Sequence, residues 1–191
     1  MTETLEHARP FARAAELESW LERHHADRDG LWLKLAKRGS GVASVDTDEV
    51  LDLLLCFGWI TGQRKSCDEV YFLQRITPRR PRSVWSLINV EKVEVLLADG
   101  RMREAGLTEV AAARADGRWE AAYPSQHRAD VPADLAAALE ADEAARLFYE
   151  RLGKSDRYLV ILRLMTATSP GVRAARLQKA VASMAAGRKV R

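Results

Sequence analysis

The stretch Trp59-Ile-Thr-Gly-Gln-Arg-Lys-Ser-Cys-Asp-Glu-Val-Tyr-Phe-Leu-Gln-Arg-Ile76 decides the fold. β-Branched and aromatic residues enrich it, and Asp68-Glu69 interrupts it. It reads as a hairpin, one arm running from Ile60 to Ser66 and the other from Val70 to Ile76. Upstream, Leu31-Trp-Leu-Lys-Leu-Ala-Lys37 puts Leu31, Leu33 and Leu35 on one face, the alternation of a strand. These segments predict a small antiparallel sheet of three strands at most. Helices should pack on it. Phe11, Leu17, Trp20 and Leu21 give the segment from Ala12 to His25 an apolar face, and Asp27-Arg28-Asp29-Gly30 makes a turn. Asp46 with Glu49 three residues later resembles a capping box, ahead of a nearly all-apolar run from Val50 to Phe57 that Gly58 stops. Thr77-Pro-Arg-Arg-Pro-Arg82 predicts a rigid, extended connector, because each proline biases the residue before it away from helix.

The remainder reads as helix. Ser83 to Ile88 suggests one helical turn, and Asn89 caps a helix that ends at Gly100. A further helix runs from Glu104 to Ala115. Beyond a linker around Tyr123-Pro124-Ser125, Pro132 opens a helix, Asp142 caps the next, Ser155 caps a third, and Ser169-Pro170 form the N-cap and first position of the last. All five Trp precede residue 120. This shift in composition divides the chain into an α+β body, residues 1–125, and a basic helical domain, residues 126–191.

A chain of 191 residues with 47% hydrophobic and 30% charged residues can bury a real core. It has no apolar run near the ~18 residues of a membrane span. Its first ten residues, Met1 to Pro10, lack a secretory apolar region, so the expected compartment is the cytoplasm. Charge is uneven. Residues 151–191 carry ten Lys/Arg and one acid, a net of +9, whereas residues 1–150 carry twenty bases and twenty-six acids, a net of −6. The basic segment can meet phosphates, anionic lipid or an acidic partner, or it can seat on the acidic body.

No constellation asks for a metal, a cofactor or an activated nucleophile. Cys56 closes a buried helix, where the field opposes a thiolate, and Cys67 lies beside an acidic turn. His7, His24, His25 and His127 lack ligand spacing and read as surface residues. Gly39-Ser-Gly41 lacks the continuation of a phosphate loop. The distinctive stretch is cationic and aromatic: six bases against two acids lie between residues 64 and 82, flanked by Trp59 and Trp85. Bidentate Arg contacts and ring stacking there suit an anionic small molecule, with Trp59, Arg64, Arg79, Arg82 and Trp85 as the expected lining. The competing reading makes the tryptophans core and the arginines guards of an edge strand. On the last helix, Arg173, Arg176 and Lys179 fall within about 120° of one another, a face that could track phosphates.

Several separated motifs resemble the YdeI/OmpD-associated family of bacterial proteins. They are Cys56-Phe-Gly-Trp-Ile-Thr-Gly62, Thr77-Pro-Arg79, Arg82-Ser-Val-Trp-Ser86, Gly117-Arg-Trp119 with Ala122-Tyr-Pro124, and Ser155-Asp-Arg-Tyr158. Their order covers the chain from about residue 10 to 186, and the C-terminal part is similar to an OmdA-type helical domain. The resemblance implies a cytosolic bacterial protein associated with bacteriocin protection and an outer-membrane porin. It implies no established reaction, cofactor or catalytic residue. Thr61 stands where such proteins usually carry Asp, and a hydroxyl cannot replace a carboxylate that titrates. Three expectations follow: a non-enzymatic stress or bacteriocin-protection factor acting through a protein partner; a binder, or enzyme, of an anionic small molecule; and non-specific nucleic-acid or polyanion binding by the basic helices.

Overall fold

The computed structural model describes residues 7–27 and 29–190. Residues 1–6, on which part of the leader reading rests, and Arg28 of the expected turn lie outside the described residues. The fold is α+β: a small sheet packed by helices, followed by C-terminal helices. The chain divides into two compact units. One joins residues up to Ser83 with Asn89–Trp119, and the other joins Val84–Ile88 with residues from Glu120 onward.

In the first unit, β1 (Arg9–Pro10) and α1 (Ala14–His24) precede β2 (Leu31–Ala36), α2 (Thr47–Cys56), β3 (Trp59–Ser66) and β4 (Tyr71–Pro78). The sheet order is β1-β2-β4-β3. β4 pairs antiparallel with both β2 and β3, so the hairpin and its neighbour are as expected. The expected limit of three antiparallel strands is corrected by β1, which adds a short parallel edge against Leu33 and Lys34. Two residues paired at an edge leave almost no period-2 signal in a sequence.

Leu33, Leu35 and Ile76 face the core with Leu17, Leu21 and Leu54, all nearly inaccessible. α2 carries the expected capping box, Asp46 accepting from the Asp48 and Glu49 amides while Glu49 accepts from the Asp46 amide. Gly58 ends the turn after it with φ +72°, where a β-carbon would come within 2.9 Å of the Ala105 carbonyl oxygen. β3 contains a bulge between Thr61 and Arg64, where Gly62 and Gln63 together oppose Arg75. Gln74, buried beneath it, answers the exposed carbonyls: its Nε2 donates to the oxygens of Gly62 (3.0 Å), Gln63 (3.3 Å) and Arg75 (3.2 Å).

The connector after β4 is not extended throughout. β4 persists to Pro78, and then the Ser83 amide donates to the Arg80 carbonyl, the Arg80 amide donates to Ser83 Oγ, and Arg82 takes a left-handed φ of 65°. The two bonds close a turn with Pro81 at its second position, where proline is favoured, and the left-handed Arg82 at its third. Ser86 bridges to Tyr123 instead of forming a helical turn, and α3 (Leu87–Ala98) begins two residues before Asn89. α4 (Glu104–Ala115) lies where its Ala-rich pattern predicts.

The second unit contains α5 (Ala133–Ala141), α6 (Glu143–Arg151), α7 (Lys154–Met165) and α8 (Pro170–Ala185). Asp142 caps α6 and Ser169 caps α8, as expected. Ser155 is no cap: α7 starts one residue before it, with Gly153 at the N-cap. Leu135, Val160, Ile161, Leu164 and Met184 make the core of this unit, with Leu177 and Val181 of α8 packed against it.

Candidate functional site

Strand alternation puts Trp32 and Lys34 of β2 with Tyr71, Leu73 and Arg75 of β4 on the sheet face away from Leu33 and Leu35, because Trp32 pairs with Arg75 and Lys34 with Leu73. The bulge decides which cation of β3 joins them. An unbroken register from Thr61↔Ile76 would set Arg64 opposite Leu73; the extra residue sets Lys65 there and turns Arg64 toward Gln74. Lys65 Nζ accordingly lies 4.7 Å from the Trp32 ring centroid, with the Arg75 guanidinium 5.8 Å from the same ring, and Lys34 Nζ lies 4.8 Å from the Tyr71 ring. Each such contact holds a cation over an aromatic face.

This face opens into a groove of about 980 Å³. Trp32, Ile60, Gly62, Gln63, Arg75 and Thr77 come from the sheet, His25, Ala26 and Asp29 from the α1–β2 segment, Pro78 to Pro81 and Ser83 from the end of β4 and its connector, and Glu109 from α4. Arg75 also donates Nη2 to the Asp29 carbonyl, which holds its fork at the groove. Arg79 is buried at 6 % exposure, and its amide donates to the Gly58 carbonyl (3.0 Å). Arg75, Arg79 and Arg80 thus share the lining with the acids Asp29 and Glu109. The lining is a net positive surface with an aromatic floor, suited to oxygens of a carboxylate or phosphate.

The five residues expected to line the site are not brought together. Arg79 lines the groove. Trp59 is core at 1 % exposure, edge-on to Trp20 (5.8 Å, 89°), and its Nε1 donates to the His25 carbonyl (2.9 Å). Arg64 stacks on Phe72 at 4.4 Å, donates Nε to Gln74 Oε1 (3.2 Å) and lines a different cavity, of about 530 Å³, beside Gly39–Val42. Arg82 is exposed in its left-handed turn. Trp85 is buried and belongs to the second unit. Trp32 and His25 are the residues that sequence reasoning omits. Gly62, a glycine inside a strand pattern, is the signal for the bulge that sets Lys65 over Trp32.

His24 and His25 are half-buried at the surface. His24 stacks on Trp20 (4.7 Å) and pairs with Asp27 (2.9 Å), while His25 Nδ1 meets the Leu21 carbonyl (3.1 Å). Burial pushes the Cys56 thiol above its ordinary value; desolvation and the hydrogen bond to Asp68 do the same to Cys67. Neither thiol is activated. Among the described residues no three His, Cys, Asp or Glu side chains gather as a metal site, and no helix is long and apolar enough to cross a membrane.

In the second unit, Arg173 grips Asp134 with both arms (Nε to Oδ2 2.7 Å, Nη2 to Oδ1 2.8 Å) and donates Nη1 to the Leu164 carbonyl (3.0 Å). It ties α8 to α5 and α7. Arg176 Nη1 donates to the Arg163 carbonyl (2.7 Å), and Lys179 is exposed. The hydrogen bonds from Arg173 hold the Asp134 carboxyl below its usual range. A depressed carboxylate contributes stability above its unfolded pKa and loses it as pH falls through the folded one. The melting temperature should therefore fall below pH about 4, and Asp134→Asn should flatten that acid limb while lowering stability at neutral pH. Parallel acid limbs in the two proteins would contradict the assignment.

The family model of a domain of unknown function (DUF8412) matches residues 9–109. A second model, described as bacteriocin-protection, YdeI or OmpD-associated (OmdA), matches residues 128–187. No curated protein and no solved structure matches the chain.

Proposed function

We propose, for a chain that belongs to the DUF8412 family and carries the OmdA domain of YdeI/OmpD-associated proteins, that the N-terminal unit is a receptor for an anionic small molecule. One observation carries the reading: a groove of about 980 Å³ is lined by Arg75, Arg79 and Arg80 together with Trp32. That size sits at the upper end of ~300–1,000 Å³ for small-molecule sites. Guanidinium forks meet carboxylate or phosphate oxygens in pairs. The first unit then serves as the binding body, with the second as a separate domain.

A panel of phosphorylated and carboxylated metabolites tests this by thermal shift. A ligand at ~100 times its Kd adds ~2.7 kcal/mol, a readily measured rise in melting temperature. Arg75→Ala should abolish the shift. Arg64→Ala should leave it unchanged, since Arg64 lines the other cavity. No shift across the panel, or loss on Arg64→Ala with retention on Arg75→Ala, would sink the proposal.

The words bacteriocin-protection in the OmdA description support a second reading, which we extend to a non-enzymatic protection or stress factor that acts in the bacterial cytoplasm through a protein partner. An affinity pulldown returning no reproducible partner counts against it. The two readings are compatible where ligand occupancy of the groove controls the partner.

A further inference from the structure

The C-terminal unit holds a cavity that the groove does not account for. α7 and α8 pack through Val160, Leu164 and Ala180, and beside them lies a partly open space of about 60 Å³. One buried water needs ~10–15 Å³ of such space, so the cavity admits several waters or one compact tetrahedral anion. Arg163 of α7 and Arg176, Lys179 and Ser183 of α8 line it over that apolar floor.

The cations of this unit are otherwise matched to acids in several places. Arg173 holds Asp134, Arg146 meets Glu143 and Glu150, and Lys189 meets Asp156. No carboxylate is among the described residues lining this cavity. The helical spacing of Arg176 and Lys179 places them one turn apart, and the bond from Arg176 to the Arg163 carbonyl sets the third cation's segment beside them. Three basic residues with no acid among the described lining favour an anion there.

We propose that this cavity is a binding site for a phosphate group. Guanidinium nitrogens can donate to two of its oxygens, the Lys179 ammonium supplies a compact charge, and the Ser183 hydroxyl donates to a further oxygen. The small volume, about 60 Å³ over an apolar floor, favours a terminal phosphate, free or on a monoester, over a phosphodiester that must pass through. The site is independent of the groove in the first unit.

Amide chemical shifts of the full chain, recorded by nitrogen-15 NMR at constant ionic strength, provide the test. Inorganic phosphate should move the Arg163 and Ser183 amides in a saturable way. The double variant Arg163→Gln/Lys179→Gln, which removes charge without touching the Arg173–Asp134 pair, should raise the midpoint by at least about tenfold, or ~1.4 kcal/mol. Arg75→Ala should leave it unchanged, so failure of the groove reading does not decide this one. A single-stranded oligonucleotide with blocked, phosphate-free ends is the second arm. A terminal-phosphate site moves these amides with phosphate alone; stronger movement with the oligonucleotide would show a phosphodiester as the source of the same group. Unmoved amides with both probes, or an unchanged midpoint in the double variant, overturns the proposal.

Discussion

Trp59→Ala should lower stability by about 3–5 kcal/mol, the range for removing a large aromatic from a packed interior. Trp59 is almost wholly inaccessible, meets Trp20 edge-on, and spends its only donor on the His25 carbonyl. Truncation leaves a cavity under the α1–β2 segment and strands that carbonyl. Because His25 also lines the groove, the same change should weaken ligand binding without any contact between Trp59 and ligand. Trp59→Phe refills most of the volume but not the hydrogen bond, so its cost should be nearer 1–2 kcal/mol. Urea unfolding reads both as a shift in midpoint at constant slope. A loss under about 1 kcal/mol for Trp59→Ala would return this ring to the ligand-facing role that the sequence suggests.

Gly30→Ala should be comparably severe. Gly30 sits at φ +66° immediately before β2, and a β-carbon there would come within 2.3 Å of the Ile76 carbonyl oxygen and 2.7 Å of Thr77 Cγ2. The left-handed conformation alone costs a non-glycine residue roughly 1–2 kcal/mol. Forcing the backbone of β4 aside adds roughly 1–3 kcal/mol, because a carbonyl in a sheet ladder cannot swing away as a flexible side chain can. Gly39→Ala separates the two effects. Gly39 has φ +83° and nothing within 4 Å of a built β-carbon, so only the roughly 1–2 kcal/mol conformational part should remain. Equal losses at the two positions would contradict the close approach at Gly30.

These two residues show where the sequence could and could not be read. The hairpin, the Asp46–Glu49 capping box and the caps Asp142 and Ser169 are local signals, each carried by a few neighbouring residues, and all are present in the structure. Ser155 shows the limit of such signals: the helix begins two residues earlier than a Ser155 cap would start it, at Lys154. The groove needs information that is not local. Alternation alone leads to Arg64 as a ligand-facing cation, and one bulge exchanges it for Lys65 on the face of Trp32. Trp32 and His25 lie thirty or more residues before the cationic stretch, and only the β2–β4 pairing and the Trp59–His25 hydrogen bond bring them to it. The basic composition of residues 151–191 likewise hides two uses: Arg173 closes an internal ion pair, whereas Arg163, Arg176 and Lys179 surround a cavity.

The central claim is that the groove over Trp32 receives an anion. Nitrogen-15 NMR of the full chain, titrated with the metabolite giving the largest thermal shift, tests it most directly. Saturable movement of the Gly62, Gln63 and Arg75 amides and of the Trp32 indole, absent in Arg75→Ala, is the predicted result. Saturable binding that leaves these four signals in place would contradict it.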